Sequence, residues 1–248
     1  VNALREVTEQ GGLHRLYAGL EPGLARLEGD HWVPVPLPPG LEKQPVRALV
    51  TDAEGNLWVG TLGGLAILKQ DHWRLFKKGE GPGTDPVYSL LASEGRVWVG
   101  TSGRIHRLEQ ESWSHWTSRE GVPEGSVTAL AETRGPEGTS TLWAGFHGNG
   151  VIHSQDGIWV PLGKTQNLAG KLVVSLLPVT GPEGTKSLWI GTRGNGLVRL
   201  DPGAWSTLDE GAGLKGKIVF GFAESATALY VVTADEGLNR IGERGGIE

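Results

Sequence analysis

Apolar positions in this chain come in short runs, each closed by glycine, asparagine or aspartate. The stretch Glu54-Gly55-Asn56-Leu57-Trp58-Val59-Gly60-Thr61-Leu62-Gly63-Gly64-Leu65 sets the pattern. Asn56 and Gly55 supply the backbone freedom of a tight reversal. Leu57, Trp58 and Val59 are residue types that suit a buried strand. Gly63 and Gly64 then turn the chain into a further strand, Leu65 to Leu68. A lone hairpin of this kind is marginal in water; here the unit recurs.

The central aromatic falls at Tyr17, Trp58, Trp98, Trp143, Trp189 and Tyr230, at steps of 41, 40, 45, 46 and 41 residues. Leu or Val precedes each one, and after the tryptophans Gly60, Gly100, Gly145 and Gly191 follow two residues on. A valine opens every unit (Val1, Val46, Val87, Val127, Val173, Val219), with a small residue two positions later (Ala3, Ala48, Ser89, Ala129, Ser175, Gly221). A second aromatic column runs through Trp32, Trp73, Trp113, Trp159 and Trp205, so that only Trp116 of the ten tryptophans stands outside the two columns.

Four short strands per unit, repeated six times, predict an all-β fold, a β-propeller of six four-stranded blades. The units run about 1–45, 46–86, 87–126, 127–172, 173–218 and 219–248, in one propeller domain covering 1–248. A solenoid also stacks repeats, but its coils are usually shorter and lack this four-strand layout. The small residues are expected where innermost strands converge, and the aromatics where blades diverge and volume must be filled. Unit six is expected to lack its outer strand, since the outer aromatic would fall at position 246, which is glycine.

Composition refines this picture in a few places. The 40 glycines suit many tight turns, and with 38% hydrophobic and 21% charged residues the chain is of the soluble globular class. No run is long enough for a membrane span and no signal segment is present, so membrane insertion by this segment is not expected. The chain starts at Val1 and has no methionine, which reads as a processed or excised piece. With no cysteine, disulfides and thiolate metal sites are excluded. The net charge of -5 argues against a nucleic-acid partner.

Candidate binding residues lie in the turns between second and third strands, where blades differ. They are His147 and Asn149 in unit four, Arg193 and Asn195 in unit five, and Asp235 and Glu236 in unit six. Loops on a rigid scaffold are where ligands are usually held. For Asn149 and Asn195 the better reading is a left-handed turn residue beside glycine, because Gly-Asn-Gly occurs twice. Arg47, Tyr88 and Thr128, each after an opening valine, line or fill the axial channel. The mixed charges suit a polar neutral or zwitterionic ligand more than a polyanion. His14, His31, His72 and His106 show no ligand spacing, so no metal or other cofactor is expected. Trp116 and His115 read as edge packing. The near-duplicate links Arg134–Thr139 and Thr180–Thr185 read as exposed loops. Gly163-Lys164-Thr165 lacks the upstream glycine of a phosphate loop.

The string Gly-Asn-Leu-Trp-Val-Gly-Thr-x-Gly-Gly-Leu, with a tryptophan beyond it, resembles the two-component regulator propeller repeat. Its best copies are Gly55 to Leu65, Gly95 to Ile105 and Leu188 to Leu197. The resemblance implies a bacterial periplasmic or extracellular sensor module. Such modules stand ahead of a membrane span and a histidine kinase or other signalling output, and some respond to carbohydrate fragments. No kinase motif or coiled coil is present in this chain, and a fold alone does not dictate function. The first reading is therefore a non-catalytic ligand-sensing module for a small molecule or glycan. A second is a scaffold for a protein partner, or for self-association through the incomplete last blade. The third is a propeller lyase or hydrolase using His147 and Glu236.

Overall fold

The structure is a computed structural model that describes residues 1–8, 12, 14–135, 139–155, 157–162, 168, 171–180, 186–225, 228–234, 237–242 and 247. Its strands form six antiparallel sheets, each a simple meander with the first strand at one side. Blade one is built from Ala3–Thr8, His14–Gly19, Leu24–Glu28 and His31–Val35, and blade two from Val46–Thr51, Leu57–Thr61, Gly64–Lys69 and His72–Leu75. Blade three uses Ser89–Ser93, Arg96–Gly100, Ile105–Glu109 and Ser112–Trp116. Blade four uses Val127–Arg134, Ser140–Phe146, Gly150–Gln155 and Ile158–Pro161, and blade five Val173–Thr180, Lys186–Thr192, Leu197–Asp201 and Ala204–Leu208. Blade six has three strands, Val219–Glu224, Ala228–Thr233 and Gly237–Gly242. This is the architecture of a six-bladed β-propeller with an incomplete last blade, as the repeat predicts. The chain divides into two compact units, Val1–Val127 and Thr128–Glu248, holding the first three and the last three blades.

The repeated residues are seam residues, and their spacing follows from how one blade packs on the next. Between blades one and two, Tyr17 and Leu24 meet Val46, Leu57 and Val59, with Leu49, Leu68 and Trp73 against them. Between blades two and three, Trp58 and Leu65 meet Val87, Val97 and Val99, with Leu90, Leu108 and Trp113 packed on. The central aromatic thus faces forward, and the opening valine and outer tryptophan face back. The glycine two residues after the central aromatic makes room for the next blade's valine. An ideal Cβ at Gly19 would stand 2.7 Å from Val46 Cγ1, and one at Gly60 2.5 Å from Val87 Cγ1. Gly100, Gly145 and Gly191 stand in the same relation to Val127, Val173 and Val219. The crowding expected of the small residues is therefore sharpest at this glycine–valine contact, one strand further out.

Each link adds an apolar cap five residues before the opening valine. Leu41, Pro82, Val122, Leu168 and Leu214 fill that place, and all are buried. Among the described residues, two of these links carry a one-turn 3₁₀ helix, Ser118–Glu120 and Glu210–Ala212. The first has a reciprocal Thr117/Glu120 capping box, the second an Asp209 cap, and both end at a left-handed glycine, Gly121 and Gly213.

In the last blade Ile247 bridges Ile241 and packs on the core. In the other blades a tryptophan pairs with that position, as Trp73 does with Leu68. The outer column is thus taken up one residue later than position 246, by isoleucine.

Candidate functional site

In blades two and five the turn between second and third strands is built by a buried threonine at the end of the second strand. Thr61 Oγ1 donates to Gly64 O at 2.9 Å and accepts from Gly63 N at 3.1 Å. Thr192 Oγ1 donates to Gly196 O at 2.9 Å and accepts from Asn195 N at 3.2 Å. The turn then binds the link that follows. Gly148 N and Gly150 N both donate to Lys171 O, and Gly194 N and Gly196 N both donate to Lys217 O. Gly23 N and Gly103 N make the same bond to Gln44 O and Gly125 O. These turns and the links between blades therefore share one end of each unit.

This geometry corrects the reading of the asparagines. The left-handed conformations belong to Gly148, Gly150, Gly194 and Gly196, with φ of 94°, 69°, 107° and 68°. Asn149 and Asn195 are not among the positive-φ residues. Glycine is needed here because a Cβ at Gly196 would meet Leu208 O at 2.5 Å.

The side chains of His147, Asn149 and Arg193 are exposed at this end of the second unit, and Asn195 is half-buried. Lys171, Lys215 and Lys217 flank them in the links, and Lys217 pairs with Glu210 at 2.9 Å. Asp235 and Glu236 lie outside the described residues. In the first unit Arg47 reaches back to Glu21 at 3.3 Å, an exposed pair between blades. Tyr88 is half-buried, with its N–H on Gly100 O. Thr128 Oγ1 donates to Val173 O of the next blade, with Gly145 O also within reach at 3.1 Å, so it serves a seam.

A cleft lies at the opposite end of the strands, in the first unit. It has a volume of about 890 Å³ and is framed by the hairpin turns Ala53–Asn56 and Gln70–Asp71, with Arg5, Glu6 and Thr8 of blade one facing them. A second cleft of about 630 Å³ shares Asp52, Asn56 and Lys69 and continues to Arg96 and Glu111. Asp52 holds their common wall. Its carboxylate accepts from Glu54 N (3.1 Å), Asn56 N (2.8 Å), Asn56 Nδ2 (2.9 Å) and the Trp58 indole N–H (2.8 Å). Arg5 Nε donates to Thr51 Oγ1 at 3.1 Å, and Glu6 meets His14 at 2.9 Å. Glu54, Lys69 and Asp71 stand exposed at the mouth. Both signs of charge on a fixed wall give donors and acceptors for a polar ligand. Variation among the second-to-third turns drew attention to the other end. The signal for this one was Asp52 and Asn56, which frame the repeat's own turn.

Two groups, one buried and one half-buried, have no counterpart among the predicted sites. His106 is buried, pairs across the sheet with His115 and lies 3.5 Å from Thr101 Oγ1. Burial, with His115 second, pushes its pKa down to about 4. Arg107 spreads over Trp98 and Trp116, with centroid distances of 5.5 and 5.3 Å, and pairs with Glu109 at 3.1 Å. Arg199 repeats this over Trp189 with Asp201, and Arg26 pairs with Glu28 opposite Tyr17. An Arg-Leu-acid triplet at three third strands is the sequence signal. Trp116 is thereby packing, as its edge position suggested.

Residues 40–63 match the family model described as Two component regulator propeller. A search of curated protein sequences finds no match. Among solved structures the chain is similar to the extracellular domain of a hybrid two component system, BT3049, from B. thetaiotaomicron. There the identity is 17% and the TM-score 0.75, covering 99% of this chain and 34% of that one. It is also similar to the extracellular domain of the hybrid system BT4673 of B. thetaiotaomicron (18% identity, TM-score 0.69, 96% and 32% covered). A third is PorZ, a surface component of the type-IX secretion system of Porphyromonas gingivalis (18%, TM-score 0.65, 90% and 36%). The chain spans about a third of the length of these proteins. At these identities the likeness is one of fold. No helix among the described residues is long and apolar enough to cross a membrane.

Proposed function

We propose that residues 1–248 work as one non-catalytic ligand-sensing domain of a bacterial signal-transduction protein, displayed in the periplasm or outside the cell. The repeat family and the extracellular propeller domains of similar fold support the setting. The observation that carries the reading is the cleft of about 890 Å³, whose wall is locked by four hydrogen bonds to Asp52 before any ligand arrives. A preorganised, mixed-charge cleft favours a small polar molecule, neutral or zwitterionic, with neutral sugars in that class. The end bearing His147 and Arg193 is the alternative seat on the same domain.

Calorimetric titration with neutral oligosaccharides, uronic-acid oligosaccharides and free amino acids tests this. Lys69→Ala and Glu54→Gln are expected to weaken binding about tenfold, the effect of losing one polar contact. Arg193→Ala should leave it unchanged. Loss with Arg193→Ala alone would move the site to the other end. No heat from any compound at millimolar concentration would refute the sensing role for these ligand classes.

A further inference from the structure

We propose that the two clefts of the first unit form one groove, read by two equivalent turns, Gln70-Asp71 and Gln110-Glu111, so that its ligand is a linear oligomer at least two units long. The proposal rests on the sensing role of the first cleft. It adds the length of the ligand and the residues that read it. The clefts are continuous, because Asp52, Glu54, Asn56 and Lys69 line both of them. Gln70 and Asp71 border the first cleft, Gln110 and Glu111 the second. Each pair is the two-residue turn between third and fourth strands, closed by Lys69 opposite His72 in blade two and Glu109 opposite Ser112 in blade three. An amide and a carboxylate thus recur one blade apart on either side of a common wall. At about 890 and 630 Å³, each cleft is large enough to take a small ligand by itself. A contact set that recurs suits a ligand whose own groups recur, with one unit in each cleft.

The backbone marks these turns as kept for their side chains. Among the described residues, the non-glycine positions at positive φ are Gln70, Asp71, Glu94, Gln110 and Glu111, and all of them line these two clefts. Blades one, four and five place a glycine at positive φ in the same turn, Gly29, Gly157 and Gly203. Side chains are strained there, and such strain gathers at ligand sites. Glu94 pairs with Arg96. The side chains of Gln70, Asp71, Gln110 and Glu111 make no hydrogen bond or ion pair among the described residues, so their strain serves no contact within the fold.

The wall also selects the chemistry of the units. The backbone N–H groups of Glu54, Gly55 and Asn56 all bond Asp52, which leaves this turn no main-chain donor for an extended peptide. What it offers instead is side-chain amides and carboxylates beside Lys69, and these suit hydroxyl groups, which donate and accept at once. Glu54, Asp71 and Glu111 disfavour an acidic unit. The occupant that fits is a chain of neutral, hydroxyl-bearing units.

Calorimetric titration of the whole chain with cello-, xylo- and manno-oligosaccharides of one to four units tests this. Affinity is expected to rise about tenfold or more between one unit and two, as the second cleft is engaged. Gln110→Gly with Glu111→Gly should abolish that rise and leave one-unit binding unchanged. Gln70→Gly with Asp71→Gly should weaken every length by about tenfold. Glycine accepts the left-handed backbone, so both variants should hold or raise the thermal midpoint, which separates lost contacts from lost folding. Equal affinity for one and two units overturns the proposal and leaves the sensing role of the first cleft standing. So does wild-type binding of the two-unit sugars by the Gln110/Glu111 variant. No heat from the entire series overturns the proposal together with the sensing of neutral sugars on which it rests.

Discussion

Single residues carry the repeat through fit. The glycine after the central aromatic is there for volume, so Gly60→Ala is expected to cost about 1–3 kcal/mol by overpacking against Val87. Combining it with Val87→Ala should cost less than the two changes added, as chemical denaturation of the four proteins of a double-mutant cycle would show. His106 gives a pH prediction. Its folded pKa, about 4, lies below the unfolded value of 6.5. The unfolded chain then binds more protons as pH falls from about 6.5 to 4, and stability drops across that window by on the order of 2–3 kcal/mol. His106→Val, the residue that Val198 supplies in blade five, should flatten the thermal midpoint between pH 7 and 4.5. An unchanged slope would mean that other groups set the acid sensitivity. The burial of His106 was not legible in advance, because a histidine before arginine reads alike in a core column or on a surface. Trp98 was legible. It is buried between Arg107 and Trp116, and Trp98→Ala should cost about 3–5 kcal/mol, read from urea unfolding.

Among the elements, the hairpins between third and fourth strands differ in strain. Blades one and five place Gly29 and Gly203 at positive φ there, whereas blade two places Gln70 and Asp71 at 48° and 62°. Side chains resist that region and glycine does not. Replacing Gln70-Asp71 by Asn-Gly is expected to stabilise by roughly 0.5–1 kcal/mol. If that gain appears together with weaker ligand binding, the strained turn also shapes the cleft it borders. The strand pattern and turn positions were readable because each strand alternates against its own neighbours in sequence. The 3₁₀ turns at Ser118–Glu120 and Glu210–Ala212 were not read, being a single turn set by a cap rather than by periodicity.

For the whole molecule, the seams make glycine-to-alanine changes mean different things in different columns: the seam column two residues after the central aromatic, and the opening-strand column that holds Gly221. Alanine at Gly19, Gly60, Gly100, Gly145 or Gly191 should lower the thermal midpoint. Gly221→Ala should hold or raise it, since a Cβ there meets nothing within 4 Å. Equal losses at all six would contradict the seam assignment. The same logic places binding on parts the repeat leaves free to vary: turn tips, hairpin turns and the cleft they frame.

The order of residues alone was enough to specify six copies of one blade, because strand pairing and seam packing repeat with the chain and stamp a period on it. It also marked the incomplete last blade. What the tertiary structure decided was which face each column covers, which glycines bend and which make room, and at which end of the strands a cleft opens. Those depend on side chains some forty residues apart meeting across a seam, as Gly60 and Val87 or Arg5 and Thr51 do, and adjacency in sequence carries no record of such distances.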